Sequence, residues 1–117
     1  MAERVVHFEI TAEDPERAVA FYRDTFGWTV TKFEGAEYWL VTTGTDGPGI
    51  DGAIMPREQL TGVVNVVEVE GTVEDAVARV EKAGGTGGGE IMEIPGVGRF
   101  TYATDTEGNP LGLMEPV

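Results

Sequence analysis

The chain has 117 residues, 21 acids against 8 bases, a formal net charge of −13 and no cysteine. That length suits one domain with a real hydrophobic core, and without thiols there are no disulfides, thiolate zinc sites or cysteine nucleophiles. The charge repels nucleic-acid phosphates and anionic membranes, so neither is expected as a partner.

The first residues run straight into a strand pattern without a basic and apolar leader, and no apolar run approaches membrane-spanning length. A soluble, cytoplasmic protein is the expectation. The acids are spread along the chain rather than clustered, which favours a solvated acidic surface over an acidic cleft built for a cation.

In chain order, "VVHFEI" (residues 5–10) reads as a strand and contains the chain's one histidine, His7. "DPERAVAFYRDTFG" reads as a helix. Pro15 fits its first turn, Ala18, Val19, Phe21, Tyr22 and Phe26 recur at helical spacing, and Gly27 ends it. Three β-rich runs follow, "WTVTKFE", "EYWLVTT" and "IDGAIMP", separated by the turn chemistry of "GA" and "GTDGPG".

After a link at residues 57–62 the order repeats. "VVNVVEV" is a strand, and "TVEDAVARVEKAGG" is a helix with Thr72 as N-cap and Asp75 three residues on. "EIMEIP", "GRFTYAT" and "PLGLMEP" are strands, the last two joined by a hairpin at "DTEGN". "GGTGGGE" (residues 84–90) follows a helix instead of opening one, so it reads as a flexible connector and not as a phosphate cradle.

A shift of 58 places His7 on Asn65, Glu16 on Glu74 and Gly27 on Gly85, and a shift of 60 places Gly52 on Gly112. The order and near-constant offset of these matches indicate a duplication. The fold class is therefore α+β, with two tandem βαβββ modules, about 1–56 and 63–117, within a single domain of 1–117. Their curved sheets pair around a cavity with the helices outside. Strand parity puts Val6, Phe8 and Ile10 toward the helix and His7 and Glu9 toward the cavity. The repeat gives Asn65 the orientation of His7.

Together, the opening "VVHFEI…EDPERAVAFYRDTFGW", the central "GAIMP" and the closing "PGVGRFTYATDTEGNPLGLMEP" resemble the vicinal oxygen chelate superfamily, the glyoxalase / bleomycin-resistance / extradiol-dioxygenase group. The resemblance implies paired βαβββ modules assembled as homodimers, with ligand and metal held in the cavity. In the metal-dependent members it implies ligands from the first and last strands of each module. His7 matches the first such position and Asn65 the second, while the last-strand positions fall at Gly52 and Gly112. A catalytic divalent metal wants three or four N/O donors. One imidazole, one amide and two glycines fall short, so no cofactor is expected and a divalent metal is disfavoured.

His7 and Glu9 are the candidates for acid–base work, since a histidine titrates near neutrality; a histidine merely satisfied by its neighbours is the equal alternative. The candidate ligand-binding residues are Asn65, Trp39, Arg99, Tyr102, Gly52 and Gly112. The two glycines would leave room for a ligand against the backbone. Parity admits only one of Tyr38 and Trp39, and one of each neighbouring wall pair, to the inside. Arg99 would clamp a carboxylate or pair with a surface acid. "IPGVG" would serve as a lid or as a tight turn.

Three functions compete: a metal-free binder of a small organic molecule, a lyase or isomerase moving protons through His7 and Glu9, and a metal enzyme of glyoxalase, epimerase or dioxygenase type. Binding in the cavity without the usual metal is the favoured expectation.

Overall fold

The computed structural model describes residues 3–117. Its elements are β1 (Arg4–Ala12), α1 (Pro15–Phe26), β2 (Thr29–Lys32), β3 (Trp39–Thr42) and β4 (Asp51–Pro56), then β5 (Val63–Glu68), α2 (Val73–Lys82), β6 (Met92–Ile94), β7 (Gly98–Thr104) and β8 (Pro110–Pro116). The βαβββ order occurs twice. Contacts divide the chain into two compact units, His7–Val63 and the remainder, which takes in residues 3–6 with Val64–Val117. Residues 3–6 group with the later unit because the Glu3 carboxylate accepts both Arg79 guanidinium nitrogens, at 2.8 and 2.9 Å, and the Glu70 amide at 2.9 Å.

The first unit orders its strands β2-β3-β4-β1 and the second β6-β7-β8-β5. In each, the helix carries the chain over the sheet, an antiparallel meander returns, and the last strand lies parallel to the first. The same order in both units is the structural trace of the duplication.

Local chemistry sets the helix ends. Asp14 caps α1 by accepting the Arg17 amide at 3.2 Å, and Gly27 closes it at φ 75°, a left-handed value open to glycine. Thr72 caps α2 through the Asp75 amide at 3.1 Å, with Glu74 and Asp75 in its first turn and Arg79 and Lys82 in its last, as the helix dipole favours.

Each helix buries one stripe on its own sheet. Under α1, Val19 packs with Ala12, Trp39, Val41 and Ile54, and Phe8 and Ile10 join them. Under α2, Val73 and Ala76 pack with Val69, Ala103 and Leu113, and Val67 and Leu111 join them. Each fully buried aliphatic side chain contributes about 1.5–3 kcal/mol relative to exposure, and the α1 stripe fixes the face that β1, β3 and β4 turn away from the helix.

The glycine run at 84–90, expected as a flexible connector, is mostly exposed, but Gly85, Gly87 and Gly89 lie close against neighbouring structure. Thr86 and Thr104 exchange backbone hydrogen bonds at 2.8 and 2.7 Å. A Cβ on Gly85 would lie 2.6 Å from the Thr104 carbonyl oxygen, and one on Gly89 would lie 2.9 Å from that of Tyr102. Glycine is there because backbone meets backbone. "IPGVG" is the turn joining β6 to β7, closed by the Val97 amide on the Ile94 carbonyl at 3.0 Å.

Candidate functional site

The site grows from alternation along β1. Phe8, Ile10 and Ala12 point into the α1 core, which turns His7 and Glu9 to the opposite face of the first unit's sheet. Pairing extends that face: His7 lies beside Asp51 of β4 and Glu9 beside Ala53, itself beside Leu40 of β3. Tyr38, one residue before β3, reaches the same face.

Three side chains meet there. The Tyr38 hydroxyl donates to Glu9 Oε2 at 2.6 Å, and its oxygen lies 3.0 Å from His7 Nε2. A hydroxyl has one proton. With that proton on Glu9, the Tyr38 oxygen accepts, so His7 carries its hydrogen on Nε2 and leaves Nδ1 as a lone-pair acceptor. Glu9 is only 3% exposed. Burial pushes the His7 imidazole below its ordinary pKa, while the negative charges of Glu9 and Asp51 pull it partly back. The ring is therefore neutral at pH 7. Asp51 is fixed in turn, its Oδ1 accepting the Thr43 amide at 2.9 Å and the Thr43 hydroxyl at 3.3 Å.

The other predicted residues fall elsewhere. Trp39 lies in the α1 core, with the Lys32 ammonium 5.5 Å from its ring centroid, so Tyr38 is the member of that pair turned toward His7. Gly52 sits on the α1 side opposite Phe8, not beside His7. A Cβ there would come within 3.0 Å of both the Phe8 ring and its carbonyl oxygen. Gly112 faces away from α2, but Phe100 covers it: a Cβ would lie 2.7 Å from Phe100 Cζ and 3.0 Å from Val66 Cγ2. Neither glycine leaves room for a ligand, because each is filled by an aromatic ring of the chain itself.

Asn65 does not share the orientation of His7. It is exposed and pairs with Leu111, on the side where Val67 and Val69 enter the α2 core. The cause is a one-residue difference. Ala12 precedes the α1 cap Asp14 by two positions, whereas Val69 precedes the α2 cap Thr72 by three. A slip of one reverses the face of a strand. Glu68 accordingly faces away from α2, paired with Met114.

Arg99 is occupied by acids of its own unit. Its guanidinium binds both oxygens of Glu74, Nη1 at 2.8 Å and Nη2 in a shorter contact, and Nη1 reaches Glu115 Oε1 at 3.1 Å. That same oxygen accepts the Val73 amide at 2.9 Å, so the cluster ties the start of α2 to β7 and β8. Arg99 holds the Glu74 carboxyl down to about 2. Tyr102, paired with Gly112, meets Phe100 edge-to-face at 4.8 Å.

Asp51 is not legible in the sequence, where Gly52 holds the aligned last-strand position; only the parallel register of β4 on β1 reveals which of the two accompanies His7. Among the described residues, no group of three or more His, Cys, Asp or Glu side chains is placed to hold a metal ion.

Residues 4–44, which include His7, Glu9 and Tyr38, match the family model described as "Bleomycin resistance protein-like N-terminal". A glyoxylase-like domain-containing protein of Didymella fabae is 33% identical over 111 residues, covering 86% of this chain and 84% of that protein. The chain belongs to the glyoxalase/bleomycin-resistance/dioxygenase superfamily. CFP32 of Mycobacterium tuberculosis, whose name carries the word glyoxylase, is also 33% identical, over 114 residues and 92% of this chain. The chain spans 42% of that longer relative. The superfamily fold extends over the whole chain. A solved superfamily member from Vibrio splendidus 12B01 matches with a TM-score of 0.70 at 18% identity, over 99% of this chain and all of that one.

Proposed function

We propose that this superfamily member binds a small organic molecule on the His7 face of its first unit and does so without a divalent metal. The observation that carries the reading is the chain Glu9–Tyr38–His7, in which one buried carboxylate orients a tyrosine hydroxyl and the hydroxyl orients the imidazole. A fixed neutral imidazole offers a ligand an acceptor of defined direction at Nδ1. Metal ligation is disfavoured by the donor set. His7 Nε2 and Glu9 Oε2 are both used by Tyr38, Asn65 lies on the α2 side of its own sheet, and Gly52 and Gly112 have no donor to give.

A second reading has its own support. A base needs an unprotonated nitrogen at the working pH, and burial keeps His7 neutral. If the bound molecule carries an acidic C–H or O–H near Nδ1, the imidazole accepts that proton, and the new positive charge is stabilised through Tyr38 by Glu9. Proton transfer of lyase or isomerase type then becomes the chemistry of the site.

The test uses the lone histidine as a reporter. Metal analysis of protein reconstituted with nickel, zinc, manganese and iron(II) comes first, and the expected result is no stoichiometric retention. A small-molecule screen followed by the His7 ring resonances in NMR then identifies ligands. Hits that shift those resonances and lose affinity in His7→Gln support the reading. One tightly held metal per chain, lost in His7→Gln, would refute it.

A further inference from the structure

We propose that a groove on the α1 side of the first unit is a second binding site, for a small organic anion: a monocarboxylate carried on an apolar or aromatic body. The groove has a volume of about 520 Å³ and runs between α1, the end of β1 and the residue that follows β4. That volume lies in the range of small-molecule sites. It is independent of the His7 face, which is the other side of the same sheet.

Its helix wall is a stripe at helical spacing, Asp14, Arg17, Ala18, Phe21 and Tyr22. Arg17 and Phe21 stand one turn apart, so a guanidinium and a ring occupy neighbouring positions on one wall. Phe21 is 58% exposed, a large apolar surface left to solvent on α1. The Arg17 guanidinium makes no ion pair with any described residue.

Across the groove, Arg57 is held in place by its own backbone and side chain. Its amide donates to the Ala12 carbonyl at 2.8 Å and its Nη2 to the Thr11 carbonyl at 3.1 Å. The acid paired with it among the described residues, Glu13, sits 3.8 Å away and is largely exposed. Such a pair is weak, and a ligand carboxylate displaces it at little cost. Asp14 is already committed to capping α1. In a chain of net charge −13, two of the 8 bases line this one groove together with the Phe21 ring, alongside the acids Glu13 and Asp14. Arginine forks suit a carboxylate, and Phe21 and Tyr22 suit the apolar body.

The test is an amide NMR titration of the full chain with 3-phenylpropanoate and with its neutral isostere 3-phenylpropanamide. The expected result is saturable shifts at Arg17, Phe21 and Arg57 with the acid, and binding about 10-fold weaker with the amide, as the loss of a charge-assisted contact predicts. Arg17→Gln, an exposed change that leaves the fold intact, weakens the acid about 5-fold or more. His7→Gln leaves it unchanged, so failure here is separable from failure at the His7 face. No saturation by about 10 mM acid, equal binding of the amide, or an unaltered Arg17→Gln overturns the proposal.

Discussion

Replacing Gly52 by alanine separates two reasons for a glycine in the last strand of the first unit. If the glycine leaves space for a ligand, a methyl group there impairs binding and spares the fold. The structure predicts the reverse. The new Cβ would come within 3.0 Å of the Phe8 carbonyl oxygen and ring atoms, and backbone in a paired strand cannot step aside. Overpacking of a tight core costs about 1–3 kcal/mol, and this case belongs at the upper end. At Gly112 the nearest obstacles are the tip of the Phe100 ring at 2.7 Å and a Val66 methyl at 3.0 Å, both side chains that can give. Gly112→Ala should therefore cost less, about 1–2 kcal/mol. For a domain of this size 1 kcal/mol moves the Tm by about 4 °C. Thermal unfolding followed by circular dichroism should then show a loss of about 12 °C for Gly52→Ala and about 4–8 °C for Gly112→Ala. Gly44→Ala, with nothing within 4 Å of its Cβ, is the control and should change little. If both strand variants melt within about 2 °C of the parent, the packing argument is wrong.

Four further outcomes follow from the same geometry. The His7 imidazole, observed by NMR, should titrate below its ordinary pKa, and Glu9→Gln or Asp51→Asn should lower it further, because each removes a charge that now raises it; a rise in either variant would contradict this electrostatic account. Tyr38→Phe should destabilise the fold by about 1–3 kcal/mol, measured by urea unfolding, because it strips the 2.6 Å hydrogen bond from a carboxylate that is nearly fully buried. Folded His7 protonates less readily than the unfolded chain, so stability should fall as pH drops from about 6.5 toward the depressed folded value, and His7→Gln should flatten that segment. A separate acid loss belongs to Glu3 and Glu74, each held at about 2 by an arginine, whose contribution is present above their ordinary value of 4.5 and vanishes as pH falls through 2.

How far the sequence exposes this site depends on which physical signal is in play. Every strand and both helices are legible, because alternation, cap residues and turn glycines act locally and agree with one another. The face of β1 is legible for the same reason: Phe8 and Ile10 leave His7 and Glu9 only one direction. The second unit misleads because number of residues and side of a sheet are different quantities. A shift of 58 aligns the caps Asp14 and Thr72 and puts Asn65 on His7, yet the single extra residue between Val69 and Thr72 reverses the strand, so matching positions face opposite ways. The glycines mislead for another reason. An absent side chain signals that something approaches, but not what, and here Phe8 and Phe100 approach from within the chain. Tyr38 and Asp51 become visible only when strands are laid side by side, since neither is close to His7 in sequence. What the register adds is the one contact that alters the chemistry. A histidine that the family resemblance places at a metal-ligand position is bonded through a tyrosine to a buried carboxylate, and that chain fixes the direction of its neutral ring.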